Sequence, residues 1–173
     1  MRIKHVQTPG EIEEVRQLFR QYEAGLGVDL CFQGFEAELA GLPGKYAPPS
    51  GALLIGIIRG HTVGCVALRA MDNGVCEMKR LYVKPEARGK GLGRQLARDI
   101  IAAARQLGYS LMRLDTLYRL TEAMSLYETM GFQRTEPYYD NPLPGVVYWE
   151  MDLNKQRPGQ PSASGEKKSR FGY

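Results

Sequence analysis

The residues whose types and spacing best suit chemistry form the glycine-rich segment Arg88-Gly89-Lys90-Gly91-Leu92-Gly93. The segment follows an apolar run that ends at Val83, and it opens a pattern in which Leu92, Leu96 and Ile100 recur on one helix face. Three glycines within five residues let the backbone take positive φ angles and approach a ligand closely. The first N–H groups of a helix lack internal partners and lie at the positive end of its dipole. The segment is therefore suited to binding phosphate.

Positive charge is concentrated around this segment. The basic residues between positions 79 and 98 are Lys79, Arg80, Lys84, Arg88, Lys90, Arg94 and Arg98, and they are opposed only by Glu86. The segment has neither the GxxxxGK[ST] pattern of a P-loop nor the full GxGxxG pattern of a dinucleotide site. The alternative interpretation is a glycine-rich helix start that binds nothing. The local charge favours a phosphorylated ligand over that alternative.

Two motifs resemble those of the GNAT acetyltransferase superfamily. Arg88, Gly91 and Gly93 occupy the defining places of a [QR]-x-x-G-x-[GA] pattern, which is similar to that superfamily's coenzyme A loop. The later segment Leu126–Phe132 resembles its second common motif. The resemblance covers residues 1–153, and it implies acetyl-CoA as the acetyl donor and no metal. The cofactor contacts that it implies are Leu81, Tyr82, Val83, Arg88, Gly89, Lys90, Gly91, Leu92, Gly93, Arg94 and Tyr127.

The resemblance also implies two catalytic residues. Glu77 occupies a strand position where many family members place a catalytic glutamate, so we expect it to accept the proton of the amine, directly or through water. Its alternative role is an ion pair with Lys79 or Arg80. Tyr127 matches the tyrosine that the family often places beside the coenzyme A sulfur, so we expect it to protonate the departing thiolate. Its alternative role is that of an aromatic residue in the core.

The acceptor is less well defined by the sequence. In the superfamily its pocket is built from the first two helices and the loop between the last two strands, which implies substrate contacts at Phe32, Phe35, Glu77, Asp115 and Tyr138. Such an aromatic pocket suits a small-molecule amine. We find no Ser-His-Asp or Cys-His pattern, so we expect direct transfer in a ternary complex. The alternatives are a protein N-terminal or lysine acetyltransferase and a non-catalytic acyl-CoA-binding protein.

Hydrophobic periodicity and turn residues predict the elements that position these residues. The predicted strands are Arg2–Val6, Ala52–Arg59, Thr62–Ala70, Val75–Val83, Leu111–Thr116, Phe132–Tyr138 and Val146–Leu153. The predicted helices are Pro9 to before Gly25, Phe32–Leu39, Leu92–Leu107 and a helix capped by Thr121 that ends at Met130. The strands on either side of the third helix should be parallel neighbours. The predicted fold class is mixed α/β (α+β), with a mostly antiparallel sheet, helices on both faces and the acyl-CoA N-acyltransferase arrangement that the resemblance implies. The resemblance further implies that the two parallel strands are splayed around the pantetheine arm.

Charge and composition limit the remaining possibilities. The net charge of +4 lies in residues 154–173, so residues 1–153 are neutral and we expect no nucleic acid partner. We expect residues 1–153 to form one domain and residues 154–173 to be a disordered basic tail. The scattered cysteines Cys31, Cys65 and Cys76 favour reduced thiols and a cytoplasmic location. We expect no membrane span, and either a monomer or a homodimer.

Overall fold

The computed structural model describes residues 1–155. Its strands are β1 (Arg2–His5), β2 (Ala52–Ile58), β3 (His61–Ala70), β4 (Val75–Val83), β5 (Leu111–Leu117), β6 (Gln133–Thr135) and β7 (Val146–Asp152). Its α-helices are α1 (Pro9–Leu26), α2 (Phe35–Ala40), α3 (Leu92–Gln106) and α4 (Thr121–Met130), with short 3₁₀ turns at Cys31–Gln33, Gly44–Tyr46 and Pro85–Ala87. The predicted tail, apart from Asn154 and Lys155, lies outside the described residues.

The strands form one seven-stranded sheet in the order β1-β2-β3-β4-β5-β7-β6. Only the β4–β5 pair is parallel, as the crossover through α3 requires, and the other neighbours are antiparallel. The predicted mixed sheet is therefore confirmed. Among residues 1–155, no helix is long and apolar enough to cross a membrane.

The sheet separates two hydrophobic cores. Helices α1 and α2 cover one face, where Val15, Phe19 and Phe35 pack against Ile55 and Ala67. Helices α3 and α4 cover the other face, where residues such as Leu96 and Met130 pack on the alternate strand positions. This arrangement follows from the strand period of two, because neighbouring residues of a strand point to opposite faces. The predicted placement of helices on both faces is confirmed.

Several predicted boundaries are wrong. Gly25 lies inside α1, which ends only at Gly27, where φ is 63° and the left-handed conformation favours glycine. Gly34, with φ of 68°, divides the predicted second helix into a 3₁₀ turn and α2. The residue before α4 is Leu120, and Thr121 is the first helical residue, without a side-chain cap. The predicted strand Phe132–Tyr138 shrinks to β6, which ends two residues before Pro137.

Strands β4 and β5 diverge along their length. They pair only through Val75–Leu111, Cys76–Met112 and Glu77–Arg113, although β4 continues to Val83 and β5 to Leu117. The remaining residues of both strands border an open wedge. The splay that the family resemblance implies is confirmed.

Candidate active site

The phosphate-binding segment has the expected backbone form. Gly89 and Gly91 have φ angles of 73° and 79°, which a residue with a side chain rarely adopts. Gly91 precedes α3 and provides no side-chain cap, so the first N–H groups of this helix are not used by a neighbouring side chain. Arg88 is held in place because its Nε donates to the Val83 carbonyl at 2.9 Å. The segment thus offers free backbone donors at the positive end of a helix dipole.

A cleft of about 610 Å³ runs from this segment into the wedge between β4 and β5. Its volume lies in the range of ordinary cofactor and ligand sites. Of the predicted cofactor contacts, Leu81, Tyr82, Val83, Arg88, Gly89, Gly91, Leu92, Gly93, Arg94 and Tyr127 line it. Lys90 does not; its Nζ donates to the Glu86 carbonyl at 3.2 Å. The cleft also includes Tyr22 and Leu26 of α1, which the sequence did not suggest.

Two of the basic residues attributed to the phosphate site lie elsewhere. Lys79 and Arg80 are only 8% and 4% exposed, and neither lines the cleft beside the Arg88 segment. The Arg80 guanidinium pairs with Glu38 of α2, with an Nη2–Oε2 distance of 2.7 Å, and lies over the Phe35 ring. The prediction that they contribute to phosphate binding was wrong, because their side chains face buried acidic residues and do not line this cleft.

Arg80 and Leu81 form a β-bulge in β4. The register passes from Ala67–Lys79 to Cys65–Tyr82, so these two residues lie opposite Val66 alone. Arg80 has a φ of 58°, a left-handed conformation that costs a non-glycine residue of order 1–3 kcal/mol. Leu81 consequently has no register partner in the ladder and lies on the wall of the cleft.

A second, smaller cavity of about 70 Å³ continues from the inner end of the cleft. The two share wall residues, among them Leu81 and Tyr127, so they meet at the bulge. The polar side chains around the smaller cavity come from separate elements and are Tyr22, Gln33, Lys79, Arg80, Asp115, Thr116, Tyr127 and Asn141. We call it the inner cavity. It is enclosed by α1, the 3₁₀ turn after it and the loop between β6 and β7.

Asp115 is the carboxylate on the wall of the inner cavity. Its Oδ2 accepts from the Tyr139 hydroxyl at 2.8 Å and from Asn141 Nδ2 at 3.4 Å, and its Oδ1 lies 3.6 Å from Lys79 Nζ. Burial, and next the negative charge of Asp115, raise the pKa of the Tyr139 phenol. Tyr139 therefore keeps its proton and donates it to Asp115 in a hydrogen bond. The predicted substrate contact Asp115 lies where such a contact can be made.

Glu77 lies behind this wall and is fully buried. Its Oε2 pairs with Arg69 Nη2 at 2.5 Å, its Oε1 lies 3.3 Å from Lys79 Nζ, and Tyr138 donates a hydroxyl to Oε1 at 3.3 Å. The alternative role predicted for Glu77, an ion pair, is present. Its partners are Lys79, as predicted, and Arg69 instead of Arg80. Glu77 can act on the inner cavity only through Lys79.

Glu77 belongs to a row of alternating charges across four strands. The register pairs Arg69 with Glu77, Glu77 with Arg113, and Arg113 with Glu150. Opposite charges on facing positions of neighbouring strands stabilise a sheet, by about 0.2–1 kcal/mol for each pair. The row crosses the sheet at the closed end of the wedge, so it fixes the point from which β4 and β5 diverge.

Tyr127 occupies the junction of the two cavities. It is 7% exposed, and its ring packs against Phe132 and Trp149 at centroid distances of 5.8 and 6.4 Å. Burial raises the pKa of the phenol, so the hydroxyl is protonated at neutral pH. The residue combines the core role and the position required of a proton donor.

The aromatic residues predicted for the acceptor site are placed differently. Phe35 is 1% exposed in the core beneath Arg80 and does not border the inner cavity, so its predicted substrate contact is corrected. Phe32 is 39% exposed, outside the cavity wall. Tyr138 contacts the cavity only indirectly, because it covers Glu77 and packs under the Arg113 guanidinium. Within residues 1–155 no group of side chains could hold a metal ion.

Lys79 and Gln33 are the site residues that sequence reasoning missed. The alternation of strand β4 would have placed Lys79 on the same face as Glu77, away from Arg88. No comparable signal exists for Gln33, because its position depends on the turn at Gly34 and on the packing of α1.

The fold and site define the class of the acyl-CoA N-acyltransferases, and comparison with known proteins gives the family. Residues 13–132 match the profile of the Acetyltransferase (GNAT) family, so the chain belongs to that family. The Schizosaccharomyces pombe protein called uncharacterized N-acetyltransferase C1271.07c is 44% identical over 88% of this chain and 95% of its own length. N-acetylaspartate synthetase of Danio rerio is 32% identical over 64% of this chain and 40% of its own length.

A solved structure supports the fold. The acetyltransferase yncA of Salmonella typhimurium, determined with its cofactor acetyl-CoA, has a TM-score of 0.68 and 19% identity over 94% of this chain and 98% of its own. At that identity the likeness concerns the fold. Together, the family and these relatives place the chain among the acetyl-CoA-dependent N-acetyltransferases.

Proposed function

We propose that the chain transfers the acetyl group of acetyl-CoA to the amine of a small molecule, by direct attack within a ternary complex. One observation carries this proposal: the cleft beside the Arg88 segment meets a small, polar inner cavity at Leu81 and Tyr127. A thioester laid along the cleft reaches that junction, and an amine in the inner cavity faces it. A cavity of about 70 Å³ suits a compact acceptor better than a peptide.

The bulge supplies the group that polarises the thioester. A backbone N–H outside the ladder can donate to the carbonyl oxygen, on which negative charge develops during attack. Leu81 has this position, and its conformation is imposed by Arg80 and the buried Glu38. A donor fixed before the reaction needs no reorganisation in the transition state, so it lowers the barrier.

Asp115 and Tyr127 account for the protons. The acceptor ammonium gives one proton to Asp115 as its nitrogen forms the C–N bond with the thioester carbon. The C–S bond then breaks, and the sulfur of the departing thiolate takes the phenol proton of Tyr127. The second proton of the amine returns to Tyr127, so the products are an amide, coenzyme A thiol and one released proton. In this scheme Glu77, assigned as the base by resemblance, is a positioning residue that holds Lys79.

The test is a thiol-release assay with a panel of amines, combined with acetyl-CoA calorimetry and mass spectrometry of the products. We expect tight acetyl-CoA binding and acetylation of small amines. Acetylation confined to peptide N-termini or lysines would contradict the small-molecule acceptor. Acetyl-CoA binding with no transfer to any amine or peptide would instead support an acyl-CoA-binding protein.

A further inference from the structure

Lys79 is a buried cation without a close partner among residues 1–155. Its side chain is 7% exposed, and its Nζ lies on the wall of the inner cavity. Its polar contacts are Glu77 at 3.3 Å, Gln33 at 3.5 Å and Asp115 at 3.6 Å. All three are longer than the 2.7–2.9 Å of a charge-assisted hydrogen bond. An ammonium placed in this way keeps donor capacity for a ligand in the cavity.

The neighbouring cations, half-buried Arg69 and buried Arg80, differ from Lys79 in this respect. Arg69 contacts Glu77 at 2.5 Å, and Arg80 contacts Glu38 at 2.7 Å. Each therefore has a carboxylate at full contact, whereas Lys79 shares two carboxylates at longer range. A buried charge whose partners lie beyond close hydrogen-bonding distance destabilises the fold unless another group, such as a ligand, completes its hydrogen bonds.

The charges around the inner cavity constrain what can enter it. Arg69, Lys79 and Arg80 face Glu38, Glu77 and Asp115, so the cluster is electrically balanced. A simple ammonium ligand would add an unopposed positive charge at low dielectric. A ligand that carries one positive and one negative charge keeps the balance. It can also exchange the loose contact between Lys79 and Asp115 for two close ones.

We propose that the acceptor is a compact amino acid, whose carboxylate binds Lys79 and whose ammonium binds Asp115. This inference rests on the proposed function and names its substrate class. Both groups line the same cavity, with Nζ and Oδ1 3.6 Å apart, so the two charges of the ligand must lie on one carbon or on adjacent carbons. Gln33 and Asn141 lie beside Lys79 and Asp115 and offer amide groups to the same ligand.

Acetylation changes this balance and favours release. The amine becomes a neutral amide, so the product retains only its carboxylate. Once Asp115 has released the proton that it accepted, Lys79 alone offsets two carboxylates, that of Asp115 and that of the product, whereas the substrate ammonium had offset one of them. The acceptor is bound as a zwitterion and the product leaves as an anion.

The experiment compares acceptors that differ only in the carboxylate. Alanine is paired with ethylamine and alanine amide, and serine is paired with ethanolamine. The ratio of kcat/KM within a pair does not depend on how much enzyme is active, so it remains valid for a partly unfolded variant. We expect the amino acid to be favoured by about 10- to 100-fold, since a hydrogen bond to a charged group has that effect.

The Lys79→Met variant keeps the aliphatic stem and removes the ammonium. We expect it to bring the ratio close to one, whereas Lys79→Arg should restore part of the preference. Lys45→Met is the matched control, because Lys45 is an exposed lysine that does not line the inner cavity. It should leave the ratio unchanged.

Calorimetry of the same ligands with the enzyme–coenzyme A complex separates this inference from the proposed function. Carboxylate-dependent binding without turnover of any amine would support the inference and overturn the proposed activity. Turnover with a wild-type ratio near one would overturn the inference alone. A high ratio that Lys79→Met does not change would overturn the assignment of Lys79.

Discussion

At the scale of single residues, Tyr127 lies where the cleft and the inner cavity meet. Its ring packs against Phe132 and Trp149, and these aromatic contacts fix the position of the hydroxyl. Because burial raises its pKa, it holds a proton throughout the neutral range. A positioned acid of this kind can protonate a departing thiolate.

The Tyr127→Phe variant separates the proton from the ring. It should lower kcat by about 100-fold, the usual lower range for the loss of a general acid, with an unchanged Kd for acetyl-CoA. The ring contacts remain, so the free energy of unfolding should change little. Steady-state kinetics between pH 6 and 9, with calorimetry, measure both quantities. Unchanged turnover across this range would exclude the role.

The ion pair of Glu38 and Arg80 is a second residue-scale feature with a measurable effect. Both side chains are at most 3% exposed, and Arg80 adopts its left-handed conformation at the bulge. Glu38→Gln leaves the guanidinium buried without a counter-charge, so we expect a loss of about 3–5 kcal/mol in the free energy of unfolding. Denaturant titration measures it. A loss of unfolding free energy no larger than the roughly 1 kcal/mol of an exposed ion pair would show that water already solvates these two charges.

Glu36→Gln is the matched control for that variant. Glu36 lies on the same helix and also pairs with an arginine, but its side chain is 65% exposed and the distance to Arg20 is 3.1 Å. An exposed pair contributes about 0–1 kcal/mol, so this change should be nearly neutral.

At the scale of elements, the first turn of α3 exposes its backbone N–H groups because Gly93, its second residue, has no side chain. A Cβ added there would meet Val83 Cγ2 at an ordinary contact distance of 3.7 Å. The fold therefore tolerates a side chain at this position. A side chain at Gly93 would, however, obstruct ligand binding in the cleft, because the ligand must approach the N–H groups closely.

Gly93→Ala should therefore separate stability from binding. We expect the free energy of unfolding to stay the same or rise by about 0.5 kcal/mol, because alanine is the better helix former. The Kd for acetyl-CoA should rise by about tenfold or more, as close contacts to phosphate are lost. Calorimetry and urea unfolding measure the two effects. Gly10→Ala, at the same position of α1, should show the stability effect without the binding effect.

The junction of β1 and α1 shows how a helix cap couples to pH. Glu11 accepts from Lys4 at 2.5 Å and from the backbone N–H groups of Gln7 and Thr8, and it completes a capping box with Thr8. The Lys4 hydrogen bond first, and then the backbone donors, lower the pKa of Glu11 from 4.5 to about 2. The lowered pKa means that this carboxylate stabilises the fold above pH 4.5 and loses that effect as pH falls through 2.

Glu11→Gln should cost about 1 kcal/mol of unfolding free energy at pH 7, the usual effect of a cap. The difference from the natural chain should narrow as pH falls below 4.5, because the Glu11 carboxylate of the unfolded chain is then progressively protonated while that of the folded chain stays ionised down to about pH 2. Urea unfolding between pH 7 and 3 tests this. Glu13→Gln, which removes a 55%-exposed side chain from the same helix, should show little effect at any pH. A constant difference across the range would contradict the pH dependence.

At the scale of the whole molecule, much of the fold was predictable from local patterns. The strand period, the glycines Gly108 and Gly131 that follow α3 and α4, and the long apolar face of α3 predict the element order, and the crossover then fixes the parallel pair. The lining of the cleft beside α3 was predictable for the same reason, because many of its residues are consecutive in one turn. Cys65 and Cys76 are buried within the two cores, one on each face of the sheet.

The acceptor side was not predictable in this way. Its polar residues, Gln33, Lys79, Asp115 and Asn141, come from four separate elements and meet only after packing. The excess of basic residues around Arg88 wrongly suggested that Lys79 and Arg80 bind phosphate. The sequence did not reveal their acidic neighbours Glu38, Glu77 and Asp115, because these contacts form only in the folded chain. Long-range pairing of buried charges leaves no local periodicity to detect.

The bulge at Arg80 and Leu81 also changes the parity of strand β4. Before it, the even-numbered Cys76 and Met78 face the core under α3; after it, the odd-numbered Leu81 and Val83 do so, and Tyr82 faces α1. Deleting a residue elsewhere in the strand would turn one half inside out and put hydrophobic groups on the wrong face. Deleting Arg80 itself would restore a uniform alternation and at the same time return Leu81 to the ladder. A length change at this one position would therefore keep the hydrophobic alternation of the strand, leave Glu38 without its buried partner, and remove the backbone donor proposed for the thioester.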